Sequence, residues 1–411
     1  MAEFLDIRFK GDLGKQPEPV AVAINEKNWD EKIKNFHSEF EKICQQEIAK
    51  IDPKEFPFAE MVAEALFGLN AYSLDDSGSD DEFDSVINLI EDQVFAKPEI
   101  MYVPEEILEF CPEQDKLKSE TDLYHNKQKR SERLRTLASK KKALPMNPID
   151  KQSSVSTDTP LLGQATLDKL TKDAESDVRA HADPQSEPSW PLALSKLHLT
   201  PEGQLAQIEP PRSGHDPFRK RWAKSLQNKK FRQKVFTLFQ RFVTKIAKQH
   251  FGELVKAQRV NSEKTSPETS VYFQINPSVR IHMPETGAMG VPHCDADYYH
   301  QRGEVNFWWP VVHETFNSNS LYCESVRNRN DFTPFNLKYG EYMKFYGNQT
   351  RHFTVPNVTD ITRVSLDIRV IPGPLFIEKW SSTASSTYSA SRAIPFTAGG
   401  YYQKLDVKFT L

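Results

Sequence analysis

Seven short segments between residues 271 and 371 constrain the fold of this chain more than any other feature. They are rich in aromatic and β-branched residues and are separated by Pro, Gly and Asn turns, a pattern typical of β-strands. With a final short strand near the C-terminus, they suit a jelly roll of about eight strands. The predicted strands are Val271–Gln274, Val279–His282, Glu304–Val311, Ser320–Glu324, Tyr342–Phe345, His352–Val355 and Thr362–Ile371.

The residues before these strands favour helices. Apolar residues at helical spacing predict a first helix that Asn25 caps and Pro53 ends, with Ile48 on its apolar side. Further amphipathic stretches run from Pro57 to Phe67 and from Phe83 to Phe95, on either side of an acidic loop at 74–82. We expect the helices of residues 1–111 to pack together or to flank the strands.

Residues 112–215 have a different composition. They are rich in Ser, Thr, Pro, Gln, Asp and Lys and contain few apolar residues, which predicts a long disordered linker. A basic insert at 127–142 lies within it and could act as a nuclear-import signal or a nucleic-acid patch. A solvated, charged helix is the commoner explanation for such a run, and it is the one we favour.

A domain boundary is marked by Asp216 and Pro217, an acidic cap followed by proline at the first helical position. Helices are predicted from Phe218 to Gln227 and from Lys229 to Phe251, with a break near Asn228. The second has an apolar stripe and a basic opposite face. Membranes or nucleic acid could bind that face, but we expect a helix that supports a sheet. This domain spans 216–380, and a tail follows at 381–411.

Composition excludes several classes of protein. The net charge of −4 argues neither for nor against a nucleic-acid partner, whereas no run approaches the roughly 20 apolar residues of a membrane span. Neither a signal peptide nor a C-x-x-C pair is evident among the four cysteines, so neither a disulfide framework nor a thiolate zinc site is expected. We therefore expect a cytoplasmic protein, or a nuclear one if the basic insert acts as a signal.

Two histidines and one carboxylate form the candidate metal site. His293 and Asp295 are two residues apart, and on a strand they would share a face. His352 follows Asp295 by 57 positions (352 − 295), enough for several strands to bring it back. Two His and one carboxylate form the facial triad of non-haem Fe(II) oxygenases. A lone His, or H-x-D alone, is more often structural, so the prediction depends on the combination.

A basic residue and a hydroxyl follow on the next predicted strand. Arg363 comes eleven positions after His352 (363 − 352), and Ser365 would share its face. Arginine presents a planar fork of donors that suits a carboxylate. Asp367 and Arg369 continue that face, so a structural ion pair within the strand is the alternative.

The segment from Val271 to Pro372 resembles the Fe(II)/2-oxoglutarate-dependent oxygenase superfamily. It is similar, more narrowly, to the StrG-like branch associated with streptomycin biosynthesis. The resemblance covers roughly 40% of the chain and none of residues 1–210. The motifs that carry it are Val271–Gln274, Val279–His282, His293–Asp295 with Tyr298–His300, Gly303–Pro310, Asn319–Leu321 with Glu324, Tyr339–Glu341, and Thr362–Ser365 with Asp367 and Arg369.

This resemblance implies an α+β protein whose C-terminal domain is a double-stranded β-helix with supporting helices. It implies iron at His293, Asp295 and His352, and 2-oxoglutarate at Arg363 and Ser365. The implied cofactors are Fe(II) and 2-oxoglutarate, with ascorbate as a further candidate. The implied activity is that of a dioxygenase, a hydroxylase that releases succinate and CO2, with the protein positioning and shielding the reactants.

The substrate is less constrained than the cofactors. A polar pocket would fit a polar small molecule or a peptidyl substrate, and protein partners could bind the linker. Two other functions stay open: a cupin-like metalloprotein, such as an isomerase, without 2-oxoglutarate, and a non-catalytic scaffold with a vestigial barrel. The candidate substrate residues are Asn306, Glu324, Arg280, Tyr298 and Trp308, of which Asn306 and Glu324 rank first.

Overall fold

The computed structural model describes residues 19–67, 190–200, 203, 217–261, 268–289, 292–380, 383–384 and 394–409. Within these ranges the fold combines helices with antiparallel strands, which confirms the α+β class. The helices are α1 (Pro19–Ile33), α2 (His37–Cys44), α3 (Phe58–Phe67), α4 (Trp190–Ser195), α5 (Pro217–Gln227), α6 (Lys229–His250) and α7 (Gly252–Asn261). No helix among these described residues is both long and apolar enough to cross a membrane.

The strands confirm the pattern predicted from residues 271–371. They are β1 (Glu47–Lys50), β2 (Ser270–Gln274), β3 (Ser278–His282), β4 (Val305–Pro310), β5 (Glu314–Thr315), β6 (Tyr322–Cys323), β7 (Thr333–Pro334), β8 (Leu337–Lys338), β9 (Glu341–Phe345), β10 (His352–Phe353), β11 (Arg363–Pro372), β12 (Thr383–Ala384), β13 (Ile394–Pro395) and β14 (Tyr402–Asp406). The main sheet has the order β1-β9-β4-β11-β2-β14, with β3 also paired to β11. Separate small sheets are formed by β10-β6-β7, β5-β8 and β12-β13.

Strand β11 organises the main sheet because it pairs with β4 along one edge and with β2 and β3 along the other. Its side chains alternate between the two faces of the sheet. Val364, Leu366 and Ile368 point into the hydrophobic core. The odd-numbered residues from 363 to 369 therefore share the opposite face, and those are the residues that the candidate site uses.

Helices α3 and α6 cover the core face of the main sheet. Trp309 of β4 lies with its ring centroid 5.0 Å from that of Phe58 and 4.7 Å from that of Phe242. The predicted helix break is confirmed, because the side chain of Asn228 accepts a hydrogen bond from the amide of Phe231 at 3.0 Å and caps α6. The apolar stripe of α6 packs on the sheet, as predicted for a supporting helix.

The prediction of one long helix from Asn25 to Pro53 is wrong. The structure divides that segment into α1, α2 and β1, and Asn25 lies buried inside α1 instead of capping it. Ile48 belongs to β1, where it pairs with Met343 of β9 and has an exposed side chain. The edge of the main sheet offers β1 a partner, and that tertiary contact overrides the local helical pattern.

The predicted linker and tail contain ordered pieces. Within 112–215, residues 190–200 form α4 and a short 3-10 helix, so the expectation of disorder does not hold for them. The carbonyl of Ser195 accepts a hydrogen bond from the amide of Thr362 at 2.8 Å. In the tail, the predicted final strand is β14, which pairs with β2. The acidic loop at 74–82, the stretch 83–95 and the basic insert at 127–142 lie outside the described residues.

Candidate metal centre

His293 and His352 lie directly opposite each other. Their backbones form an isolated antiparallel bridge, with hydrogen bonds from the amide of His293 to the carbonyl of His352 at 3.2 Å and in the reverse direction at 3.0 Å. Side chains of directly opposed residues emerge on the same side of a sheet. The two ring centroids are accordingly 4.4 Å apart, although the residues come from distant parts of the chain.

Asp295 reaches the histidines from a 3-10 helix, Asp295–Tyr298, and not from the strand that the sequence suggested. Its amide donates to the carbonyl of Gly347 at 2.9 Å, which fixes the start of this helix. Oδ1 of Asp295 lies 4.0 Å from Nε2 of His293 and 3.8 Å from Nε2 of His352. All three candidate ligand atoms lie within 4.8 Å of one another, so the residues could hold a metal ion.

The protonation states at this cluster suit a metal. Burial, followed by the neighbouring His293, lowers the pKa of His352 to about 3. Nδ1 of His352 lies 3.1 Å from the carbonyl oxygen of Thr350, which directs Nε2 towards Asp295. Burial opposes ionisation of Asp295, but the Arg369 guanidinium holds the pKa of that carboxyl well below its usual range. A neutral imidazole and a carboxylate are the forms that bind metals.

Strands β4 and β11 hold the Asp295 carboxylate. Nδ2 of Asn306 donates to Oδ2 at 2.7 Å, and Arg369 donates from Nε to Oδ2 and from Nη2 to Oδ1, both at 2.9 Å. The backbone of Gly347 passes so close that an added Cβ would lie 2.8 Å from the Asn306 side chain. A glycine is therefore required there to leave room for the amide that supports Asp295.

Arg363 and Ser365 lie further along the same face of β11. Arg363 is buried, and its Nη1 donates to the carbonyl oxygens of Asn319 and Ser320 at 3.1 Å each. Among the described residues, neither Nε of Arg363 nor Oγ of Ser365 has a hydrogen-bond partner. Burial, followed by nearby Arg280, lowers the pKa of Arg363 to about 9.

Asn306 and Glu324, the two residues ranked first for the substrate, both serve other groups in this structure. Asn306 contacts Asp295 as described above. Glu324 accepts hydrogen bonds from the amides of Arg351 at 2.7 Å and Asn330 at 3.1 Å, so it ties a surface loop to the residue that precedes His352. Both side chains are fully buried. Their position indicates a supporting role next to the metal cluster.

Of the other three candidate substrate residues, Tyr298 borders the metal cluster and Arg280 lies near the Arg363 end of β11. The ring of Tyr298 lies 5.1 Å from that of His293. Arg280 lies opposite Ser365 in the β3–β11 register, with Nε 3.7 Å from Oδ2 of Asp367. Trp308 packs inside a separate cluster of buried apolar side chains. Their role in substrate binding stays a prediction.

Sequence reasoning missed the contact between Arg369 and Asp295. The residues are 74 positions apart (369 − 295), and for Arg369 the sequence suggested only a possible ion pair within its own strand, where Nη1 lies 3.6 Å from Oδ1 of Asp367. The alternation of β11 places Arg369 on the correct face, so the signal was present. What the sequence lacks is the fold that brings Asp295 to that face.

In sequence, the chain is similar to a protein of antibiotic biosynthesis. The chain is 32% identical over 133 residues to the streptomycin biosynthesis protein StrG of Streptomyces griseus. The match covers 32% of this chain and 60% of StrG, so the chain spans less than two thirds of that relative's length. No protein-family model matches the chain.

Solved structures give weaker likenesses. The nickel complex of the non-heme monooxygenase ThoJ aligns at a TM-score of 0.22 and 17% identity, covering 29% of this chain and 49% of ThoJ. SnoN, an alpha-ketoglutarate-dependent epimerase from nogalamycin biosynthesis, aligns at 0.24 and 13%, covering 34% and 59%. Apo ThoJ aligns at 0.23 and 15%, covering 38% and 63%. TM-scores this low do not indicate a shared overall fold.

Proposed function

We propose that this chain is an Fe(II)- and 2-oxoglutarate-dependent oxygenase. One observation carries the proposal: His293, Asp295 and His352 place three ligand atoms within 4.8 Å of one another. Two neutral imidazoles and one carboxylate form the ligand set of non-haem Fe(II) oxygenases. A triad leaves coordination positions open for other molecules, as an oxygenase requires.

The Arg363 end of β11 fits the distal carboxylate of 2-oxoglutarate. A buried guanidinium with an unpartnered Nε lies on the same strand face as a buried hydroxyl, Ser365, that also lacks a partner among the described residues. Buried polar atoms without partners are costly, and a carboxylate could accept from both groups. It would also compensate the charge of the Arg363 guanidinium, whose pKa burial lowers.

The chain's own residues bind and orient the reactants in this proposal. Bound iron would supply the oxidising chemistry, in which O2 is the oxidant: one of its oxygen atoms goes into succinate as 2-oxoglutarate loses CO2, and the other goes to the substrate. His293, Asp295 and His352 hold the iron, and Arg363 with Ser365 orients the cosubstrate. We expect the buried apolar cluster around Trp308 and Phe345 to limit the access of water to the metal cluster. Hydroxylation is the outcome that we favour for the substrate.

The substrate would approach the metal from the side of His293. The His293 side chain is 22% exposed, whereas those of Asp295 and His352 are buried at 1% and 8%. Tyr298 packs against the ring of His293. A polar small molecule or a peptidyl segment could approach there, and Arg280 with Asp367 offers charges of both signs on the same sheet face. A double-stranded β-helix, also part of this proposal, would enclose such a pocket.

The test is the anaerobic addition of Fe(II) and 2-oxoglutarate to the full chain, monitored by the visible charge-transfer band of the chelate. We expect the band in the wild type, its loss in His352→Ala, and its weakening with iron still bound in Arg363→Ala. Arg302→Ala is the matched control, because Arg302 forms an ion pair with Glu26 at 2.7 Å outside the site.

The outcomes separate the three functions. Iron binding without any effect of 2-oxoglutarate, in wild type and Arg363→Ala alike, would favour the cupin-like metalloprotein. A folded wild-type protein that binds neither iron nor 2-oxoglutarate would remove the oxygenase and leave the non-catalytic scaffold.

A further inference from the structure

The carboxylate of Asp295 has two oxygens in different surroundings. Oδ2 accepts from both Asn306 and Nε of Arg369, at 2.7 and 2.9 Å. Oδ1 faces the Nε2 atoms of the two histidines and accepts only from Nη2 of Arg369 among the hydrogen bonds of the described residues. The planar guanidinium thus contacts both oxygens and sets the rotation of the carboxylate.

Arg369 is itself held from several directions. Nη1 lies 3.3 Å from Oε1 of Gln274 on β2 and 3.3 Å from the hydroxyl of Tyr401, next to β14. Nε lies 3.7 Å from Oε2 of Glu304. A charged fork with this many buried partners has little freedom to turn, so it can serve as a fixed template for the carboxylate.

Glu304 forms the next layer of this network. Its carboxylate is fully buried and lies 2.9 Å from Nδ1 of His300, and the hydroxyl of Tyr402 on β14 donates to it. The C-terminal strand therefore contributes polar contacts to the metal cluster through two intermediates, Glu304 and Arg369. Strand β14 is therefore linked to a metal cluster that is built from residues between 293 and 352.

We propose that Arg369 is a positioning residue for metal binding. It directs Oδ1 of Asp295 towards the metal and holds Oδ2 away from it, and Tyr402 keeps the network in place through Glu304. This inference rests on the proposed function, since it requires the triad to bind a metal. A supporting contact of this kind, one step removed from the metal, typically changes metal affinity by about 10–100-fold when it is lost.

The substitution Arg369→Lys isolates geometry from charge. Arg369 has two effects on a bound cation: it orients the ligand, and its positive charge repels the metal. Lysine keeps the charge, and with it most of the repulsion, but it cannot contact both carboxylate oxygens as a planar fork. A change in metal affinity in this variant therefore reports on orientation.

The experiment is an anaerobic titration of the full chain with Co(II), whose visible bands report both affinity and coordination geometry. We expect the Kd for Co(II) to rise about 10–100-fold in Arg369→Lys, with altered bands. Arg302→Lys, the same exchange at the half-buried pair with Glu26 outside the site, is the control and should stay within about twofold of the wild type.

A Kd in Arg369→Lys within about twofold of the wild type would overturn this inference and leave the proposed function intact. A wild type that does not bind Co(II) would overturn both. If Arg369→Lys does not fold, Tyr402→Phe decides, because it keeps the packed ring and removes only the hydroxyl that holds Glu304. We expect weaker Co(II) binding in that variant, and unchanged affinity and bands would contradict the proposal.

Discussion

The buried arginines at the two ends of β11 differ in how completely their hydrogen-bond donors are satisfied. At one end Arg369 forms two hydrogen bonds of 2.9 Å with Asp295, and further polar groups surround it. At the other end Arg363 contacts two backbone carbonyls, while its Nε and the Oγ of Ser365 have no partner among the described residues. The metal end is thus organised in advance, whereas the other end presents donors that only a ligand would satisfy.

This difference indicates at which end of β11 the stability of the protein should depend on a bound ligand. Polar groups that are already satisfied stabilise the fold whether or not anything binds, and removing one of them leaves its partner unpaired. Donors without partners cost stability until a ligand accepts from them.

The largest effect is expected at the metal end. Asp295→Ala should lower the free energy of unfolding by about 3–5 kcal/mol, because it leaves the Arg369 guanidinium buried without its main counter-ion. Arg363→Met should cost about 1 kcal/mol or less, since it removes a poorly paired buried charge. Urea denaturation of the metal-free proteins measures both values. Equal losses in the two variants would contradict the contrast between the ends.

A pH effect is expected at the Arg363 end. His282 lies opposite Arg363 in the β3–β11 register, and burial, followed by the charge of Arg363, lowers its pKa to about 3. Because the folded state binds this proton less readily than the unfolded state, His282 contributes stability above pH 6.5 that is lost as the pH falls towards 3. The loss is about 1.4 kcal/mol per pH unit, or about 2 kcal/mol between pH 6.5 and 5.

Denaturation curves at pH 7, 6 and 5 test this prediction in the wild type and in His282→Gln, which cannot titrate. The variant should lose less stability on acidification than the wild type does. Other buried histidines, such as His250, with its pKa lowered to about 4 mainly by burial, contribute equally in both proteins. The difference between the two curves therefore reports on His282, and parallel curves would refute its assignment.

The smallest effect on the unliganded protein is expected for Ser365→Ala. The hydroxyl is buried and has no partner among the described residues, so its loss should not destabilise the unliganded protein and should raise the free energy of unfolding by about 1 kcal/mol. Its loss should nevertheless weaken 2-oxoglutarate binding about tenfold, since a hydrogen bond to a charged group contributes about 1.5 kcal/mol or more. Calorimetric titration with 2-oxoglutarate in the presence of Fe(II) measures the change. Unaltered affinity would place the cosubstrate elsewhere.

Sequence patterns predicted the strands well because alternation and turn residues are local signals. Val279–His282 and Thr362–Ile371 were found almost to the residue, and the shared face of Arg363 and Ser365 followed from alternation alone. The helix break near Asn228 was equally visible in the sequence. Local sequence failed at Ile48, where an edge of the main sheet recruited residues with a helical pattern into a strand.

The candidate site was predictable in its residue types and not in its geometry. His293, Asp295 and His352 do come together, but Asp295 lies in a 3-10 helix. The prediction that it shares a strand face with His293 was therefore wrong. The contacts of Asp295 with Arg369, and of Glu304 with Tyr402, join residues 74 and 98 positions apart. No local pattern specifies such pairs, because they depend on how the complete sheet assembles.

The attachment of α4 has a consequence in terms of chain connectivity. Helix α3 ends at Phe67 and α4 begins at Trp190, and both helices belong to one hydrophobic core. Both ends of the 122-residue connection between them (190 − 67 − 1) are therefore fixed by the same core. Because the carbonyl of Ser195 in α4 accepts a hydrogen bond from the amide of Thr362, the later end of this connection is tied directly to the start of β11, the strand that carries Arg363 and Arg369.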